Sequence, residues 1–551
     1  MEGNLTTLPV TEETIRKAEE TLLAYRAAKA PLEARLLENE QWYRLRHWST
    51  MRRNPGDPEP ASAWLLNCIA NKHADAMDNV PEPYVLPREE GDAPDAEALS
   101  AILPVVMELN EYEQVYSDVW WAKLKGGTGV TGVFWNPDGA DGLGDVDIRK
   151  VELLRLYWKP GVSRLQASRN VFHVESVPNE TLIDRWPFLK GRLNGSALTD
   201  STLPASAQTG ERSVVVDWYY KRRCGGRTVV HYAKFVCGNL LYASENDERY
   251  RLRGYYDHGL YPFVFDTQFV EPDSPAGFGY IDVCKQPQMY IDRLNQVILK
   301  GALMAARPRF FIRSDGSINE QEYADWTRDF VHFQGGSSPQ ESIRQIDVRG
   351  PDAVLVRILS DKIEELKETS GNRDFSQGSA ASGVTAAGAI MALQDAGGKL
   401  SRDMLKSSYR AFTKVCELCV ELIRQFYDEP RCFRILGEAA SIRYIRYDNA
   451  RIRPRVEDGL YRKPAFDIKI RPQRSAPMVM SARNEMAREF YRMGFFDPAN
   501  AEQALGCLEM MEFEGKPQMI ELLRRRRGAL VPAAENKGLT LRAGSDAAGM
   551  V

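Results

Sequence analysis

The chain has 551 residues, with 72 Lys and Arg against 76 Asp and Glu and a formal net charge of −4. This balance, with a pI near 6.1, excludes a protein whose whole surface grips nucleic acid, because that binding draws on many Lys and Arg contacts to phosphate. No apolar run is long enough to cross a bilayer, the N-terminal segment lacks the apolar core of a signal peptide, and the length predicts two to four packed units.

In chain order, Thr11 caps a helix whose first turn carries Glu12 and Glu13, and helical spacing continues through Leu22, Tyr25, Leu36, Trp42 and Leu45 to about Trp48. The Pro-rich stretch 54–60 ends it. A helix over 61–78 feeds an extended Pro81–Pro87, an acidic loop at 89–95 precedes a helix to about Leu109, and 113–125 is helical again. From Val130 to about Phe265 the pattern is mostly β. Strands are predicted over 130–135, 145–156, 170–177, 212–220, 228–236 and 240–242, each bounded by Gly, Pro, Asn or Asp. The arrangement is α+β.

Tyr290, Leu294, Val297, Gly301 and Met304 then form one stripe of a helix from about Gln288 to Ala306. Arg307-Pro308 breaks it, since a residue before proline is pushed out of the α region, and 309–313 continues as a strand. A second helix follows Gly350-Pro351 and runs to about Ser370, with Leu355, Leu359, Ile363 and Leu366 on one side. The loop Gly371–Gly383 is poor in large apolar residues, so it is either a mobile element facing open space or a connector. Beyond it a helix of roughly forty residues carries Met404, Val415, Leu418, Leu422 and Phe426 on a broad apolar face and bends near Gly397-Gly398.

Between Lys285 and Arg313, six basic residues stand against the single acidic Asp292. They form either a solvated helix face with subunit-bridging ion pairs or a contact for a polyanion. Arg524–Arg527 before Gly528 suits the end of a helix better than a nucleic-acid contact, and 529–551 has the composition of a disordered tail.

No catalytic signature stands out. Gly127-Thr-Gly129-Val-Thr-Gly132 matches the dinucleotide fingerprint in letters, but that motif needs a strand before the glycines and a helix after them. Here the order is helix then strand, so a turn needing positive φ is expected. Gly397-Gly398-Lys399-Leu400-Ser401 lacks the upstream glycine of a phosphate loop. Cys416 and Cys419 lie mid-helix among apolar residues without a second pair, the six histidines are scattered, and Asp138–Asp147 reads as a hairpin turn rather than a calcium loop. No cofactor or metal is expected, and the eight cysteines are expected to be reduced thiols of the cytosol.

The succession of helix, short excursion, helix, loop and long bent helix resembles that of tailed double-stranded DNA bacteriophage portal proteins, the head-tail connectors. Local text at Gly277-Phe-Gly-Tyr280, Gln288–Asn295, Arg307-Pro-Arg-Phe310 and Thr385-Ala-Ala-Gly-Ala-Ile-Met-Ala392 is similar to theirs. The resemblance implies a portal-like α+β fold: a mixed wing (1–276 with 386–475), paired stem helices (277–306 and 351–371), a small clip (307–350), a tunnel loop (372–385), a helical crown (476–528) and a flexible tail (529–551). It implies a dodecameric, non-enzymatic ring at one capsid vertex, assembled in the host cytoplasm. Its partners would be the terminase large subunit, head-tail adaptor proteins, major capsid and scaffold proteins, and double-stranded DNA passing without sequence specificity, with no membrane. On these positions it puts Arg373, Asp374, Phe375, Ser376 and Gln377 in the channel loop, Arg307, Arg309, Arg313 and Arg344 in the clip, and Tyr290, Leu294, Lys300 and Leu359 in the stem. The C-terminal segment is too short for the long helical barrel some portals carry. Another head or baseplate structural protein, or a nucleotide-binding enzyme using the Gly127–Gly132 loop, are the competing readings.

Overall fold

A five-stranded antiparallel sheet and a three-stranded one, each covered by helices, build the N-terminal half. The structure, a computed structural model, describes residues 10–51, 54, 56–193, 211–224, 226–306, 309–312, 321, 322, 332, 343–346, 350, 352–371, 399–436, 442–457, 460–474, 488–495, 501–510, 519, 520 and 523. It divides into two units, Met1–Gln473 and Arg474–Val551.

In the first unit, helices α1 (Glu12–Tyr43) and α2 (Trp64–Met77), strand β1 (Asn79–Pro87) and helices α3 (Ala93–Leu109) and α4 (Tyr112–Gly126) lead into β2 (Thr128–Asn136) and β3 (Asp145–Val151). Next come β4 (Leu156–Trp158), β5 (Asn170–Pro178), the short α5 (Asn179–Arg185), β6 (Arg212–Cys224), β7 (Arg227–Val236), β8 (Asn239–Ala243) and β9 (Phe263–Thr267). Strands β4 to β8 pair in sequence order, while β2 lies between β3 and β9. The hairpin expected at 138–147 is the β2–β3 connection.

Strand β6 shows why the sequence here reads as a continuous apolar run. Every residue from Ser213 to Tyr220 is buried, because both faces of its sheet are covered. On one face Ile15, Ala18 and Leu22 of α1, spaced as one helical stripe, pack with Phe172, Val174, Val216 and Trp218. On the other, Leu182 and Leu189 meet Val215 and Val236. The one carboxylate in that run is Asp217. Burial would raise its pKa, but Lys234 at 3.1 Å, His173 at 3.5 Å and the Tyr232 hydroxyl at 2.7 Å outweigh burial and hold it well below the usual range.

Helix α1 stops at Tyr43 rather than Trp48, because Leu45 takes a positive φ of 57°, and His47–Ser49 forms a separate 3-10 turn. Within α1, Lys29 points inward and donates to the carbonyls of Leu153 (2.5 Å) and Leu156 (2.8 Å). Its ammonium also lies 4.4 Å from the Tyr157 ring centroid.

Helices α6 (Tyr280–Ala306), α7 (Ala353–Ser370) and α8 (Lys399–Phe426) follow, with an antiparallel pair β10 (Arg309–Ile312) and β11 (Ile343–Ile346) between the first two. Helix α6 begins eight residues before the expected Gln288 and includes Pro287. Asp282 accepts a hydrogen bond from the Gly279 N–H at 2.9 Å, which fixes the earlier start. Helix α8 buries Met404, Phe412, Val415, Cys416, Leu418, Cys419, Leu422 and Ile423 in the main core, so Cys416 and Cys419 are packing residues. The proposed bend at Gly397-Gly398 lies outside the described residues. Strands β12 (Arg431–Leu436) with β13 (Ile442–Tyr447), β14 (Arg455–Glu457) with β15 (Leu460–Arg462), and β16 (Phe466–Arg474) with β1 complete this unit. In the second unit, Ala504 and Leu508 of α9 (Ala501–Met510) pack with Phe490 and Leu523.

The glycine-rich turn after α4 is a steric device. Gly127 has φ +86°, and a Cβ there would sit 2.3 Å from the Phe278 carbonyl carbon. A Cβ on Gly279 would in turn lie 2.7 Å from the Gly127 nitrogen. The two backbone stretches touch, so the space a dinucleotide would need is filled by the root of α6. Gly127→Ala is therefore expected to cost about 2 kcal/mol or more. Gly301→Ala, where a Cβ meets nothing within 4 Å, should stabilise α6 by about 0.5–1 kcal/mol; chemical denaturation of both variants checks the pair of signs.

Lys29 carries a second expectation. Loss of solvent lowers its pKa from 10.5 to about 7, with Glu33 pulling the other way. Between those two values the unfolded chain holds the proton that the folded chain has released, so stability rises with pH across the window. Denaturation midpoints at about pH 7 and about pH 9.5 should show a rise in the parent chain that Lys29→Met loses.

Candidate functional site

Helix α6 presents two faces with opposite chemistry. Along one, Gln288, Asp292, Asn295, Gln296 and Lys300 recur at helical spacing and hold the Pro-rich segment 57–65. Asp292, fully buried, accepts from the Ser62 N–H at 2.9 Å and from Gln288 Nε2 at 2.9 Å. Gln288 Nε2 also donates to the Ser62 carbonyl (2.9 Å), while its Oε1 accepts the Leu65 N–H (3.2 Å). That N–H is one of the first-turn donors of α2 that has no partner within its own helix. Farther along, Asn295 reaches the Ser62 hydroxyl (3.2 Å), Gln296 the Pro58 carbonyl (2.9 Å) and Lys300 Asp57 (2.7 Å).

His47 completes the buried end of this ladder. Its ring stacks on Trp42 with centroids 4.2 Å apart, and Nε2 lies 2.9 Å from Asp292 Oδ2. Neither ring nitrogen makes an aligned hydrogen bond among the described residues, so the contact is one of proximity.

The stripe read from sequence is roughly the opposite face. At about 100° per residue, Tyr290, Val297, Gly301 and Met304 turn away from the ladder. Tyr290 and Val297 are 49% and 52% exposed, and Leu294 is half-buried. Within one copy of the chain this stripe is covered only at its edge. Helix α7 packs beside it, where Ile291 meets Leu366 with Leu359 and Ile363, and the Lys362 ammonium sits 5.7 Å from the Tyr290 ring centroid. Val354, Val356 and Ile358 at the start of α7, and Leu299 and Leu303 near the end of α6, are also exposed.

Both ends of the stretch 372–398 are moored on α2. Helix α7 is capped at its start by Asp352, which accepts the Val354 N–H, and ends at Gly371 with φ 65°. Its last residue, Ser370, is fully buried and takes the Cys68 thiol at 3.2 Å. One turn along α2, Lys72 donates to the Ser401 hydroxyl at 2.9 Å, and that hydroxyl donates to Asp75 at 2.8 Å. A third buried polar group ties α8 to the sheet. Lys123 donates to Asp266 (2.7 Å), Ser408 (2.8 Å) and the Met404 carbonyl (3.3 Å), and burial lowers its pKa against the pull of Asp266.

Of the residues singled out in the sequence, Tyr290 and Leu294 lie on the apolar stripe of α6, Leu359 on α7 with the cluster around Ile291, and Lys300 on the opposite face of α6 against Asp57. Arg309 and Arg344 fall within β10 and β11, where Arg309 pairs with Ile346 and Arg344 with Phe311, two register steps apart. Arg307, Arg313, Arg373, Asp374, Phe375, Ser376 and Gln377 lie outside the described residues. Sequence reasoning passed over Asp292, Gln288 and His47 as ordinary polar residues, although a lone acid in a basic helix was already a signal. Among the described residues no group of three or more His, Cys, Asp or Glu could hold a metal ion, and no helix is long and apolar enough to cross a membrane.

A family model described as Phage P22-like portal protein matches residues 73–260 and 261–540, most of the chain. No curated protein matches it.

Removing the Asp292 carboxylate leaves the Ser62 N–H and Gln288 amide short of a buried acceptor. Asp292→Ala should therefore lower stability by about 2–4 kcal/mol and speed hydrogen exchange in 57–65. Lys300→Ala, at an exposed pair, should leave the denaturation midpoint unchanged.

Proposed function

This chain belongs to the phage P22-like portal protein family, and from that premise we propose that copies of it close into a dodecameric ring at a unique capsid vertex. The role is structural. The ring is the conduit through which a terminase drives DNA inward and through which the genome later leaves, and it is the docking site for head-tail adaptors. In this reading the α6–α7 pair is the stem, β10 and β11 belong to the clip, and 372–385 faces the channel.

The observation that carries the reading is the large apolar side chains left uncovered on α6 and α7. Tyr290, Val297, Leu303, Val354 and Val356 are each about half exposed or more. Helix faces of this kind are stable when a neighbour covers them, and a head-to-tail arrangement that closes lets every copy cover the next. The charge balance supports the same role. A duplex must slide through without being held, and a chain with net charge −4 lacks the dense cationic surface that would hold it.

Class-averaged electron micrographs of the purified chain should show rings with an axial hole. Val297→Asp combined with Leu303→Asp should keep the circular dichroism and denaturation midpoint of the parent while abolishing rings. A parent chain that stays monomeric at high concentration, even with scaffold and capsid proteins present, overturns the reading.

A further inference from the structure

A cleft of about 930 Å³ opens between β9, β16, helix α8 and the loop 163–166. Its size lies near the top of the range for ligand pockets, about 300–1,000 Å³. Phe263, Val264 and Phe265 all line it. Successive strand residues point to opposite faces, so a space that touches three in a row meets the strand edge-on. One edge of β9 is taken by β2, and no strand pairs with the other among the described residues. An unpaired edge offers backbone donors and acceptors to any extended chain that reaches it.

The charge of the cleft differs from that of the whole chain. Five Arg or Lys line it against two Glu. Three of the cations are engaged: Arg88 with Asp467 at 2.8 Å, Arg424 with Glu421 at 2.6 Å and Lys463 with Glu421 at 2.9 Å. Arg164 and Lys414 are exposed and form no ion pair among the described residues. Arg424, only 5% exposed, also has its Nε without an acceptor among them. The floor between these cations is apolar, formed by Phe263, Phe265, Leu418, Phe466 and Ile468. The unpaired edge of β9, whose donors and acceptors match another extended main chain, favours a peptide over a nucleic acid here.

We propose that this cleft receives an extended segment of a partner protein as an added strand on the free edge of β9, with apolar side chains on the floor and carboxylates against Arg164 and Lys414. Main-chain hydrogen bonds supply affinity in this mode, and alternate side-chain positions supply selectivity. The proposal stands apart from the ring reading, because it uses neither the α6–α7 face nor the channel.

The test uses the full chain and a capped, fluorescently labelled hexapeptide alternating glutamate with valine, followed by anisotropy at low salt. A lysine–valine hexapeptide and a glutamate–valine hexapeptide N-methylated at alternate residues are the controls. The parent peptide is expected to bind at least tenfold more tightly than either control. Arg164→Glu with Lys414→Glu, both at exposed positions, should weaken it at least tenfold while leaving the denaturation midpoint unchanged. Equal binding of the N-methylated peptide overturns strand addition, and equal binding by the charge-reversed variant overturns the assigned carboxylate contacts. Preferential binding of a single-stranded oligonucleotide to the same residues overturns the peptide reading. If the charge-reversed chain loses ring formation in micrographs, the cleft is a socket for a second copy of this chain, and the partner assignment falls.

Discussion

The buried Asp292 carboxylate is the point on which the geometry of α6 turns. A carboxylate without water needs hydrogen-bond donors close by, and here they come from Ser62 and Gln288, with the His47 ring against it. That requirement draws the segment 57–65 onto one side of α6 and fixes the rotation of the helix about its own axis. Once the rotation is set, the apolar residues on the far side have no place in the core of their own chain. The uncovered face is thus a consequence of where one acid is buried.

The root of the same helix is set by backbone contact rather than by side chains. Gly127, Gly277 and Gly279 let the turn after α4 touch the start of α6, and any Cβ at Gly277 would lie 1.8 Å from the Phe269 carbonyl oxygen. The glycines that imitate a nucleotide motif are there for proximity between two chain segments. Spacing alone could not reveal the second segment, because it lies about 150 residues away in sequence.

Local periodicity carried most of the element assignments. Strands β2, β3 and β5 to β8 were legible because β-branched and aromatic runs there are cut by glycine and proline, whereas the run 145–156 is broken by a 3-10 turn at Leu153–Arg155 and β9 carried no separate signal; α7 was legible because Gly350-Pro351 precedes it and Gly371 ends it. The start of α6 was not, since Pro287 lies within the helix and its first turn is held by Asp282. The apolar stripe of α6 was visible in the sequence, but whether it is covered depends on α7 and on 57–65, which sequence does not place. The polar contacts at Asp292, Lys123 and Ser370 were invisible for a similar reason: each joins elements far apart in the chain.

The two attachments on α2 have a bearing on how this fold can vary. Ser370 and Ser401 are fastened about one helical turn apart, at Cys68 and at Lys72 with Asp75. A chain segment whose exit and re-entry are so tethered can lengthen cheaply, at about 0.6 kcal/mol for each doubling. Insertions and deletions between them would leave the surrounding helices in register. The two anchors thus seat the end of α7 and the start of α8 on one common helix.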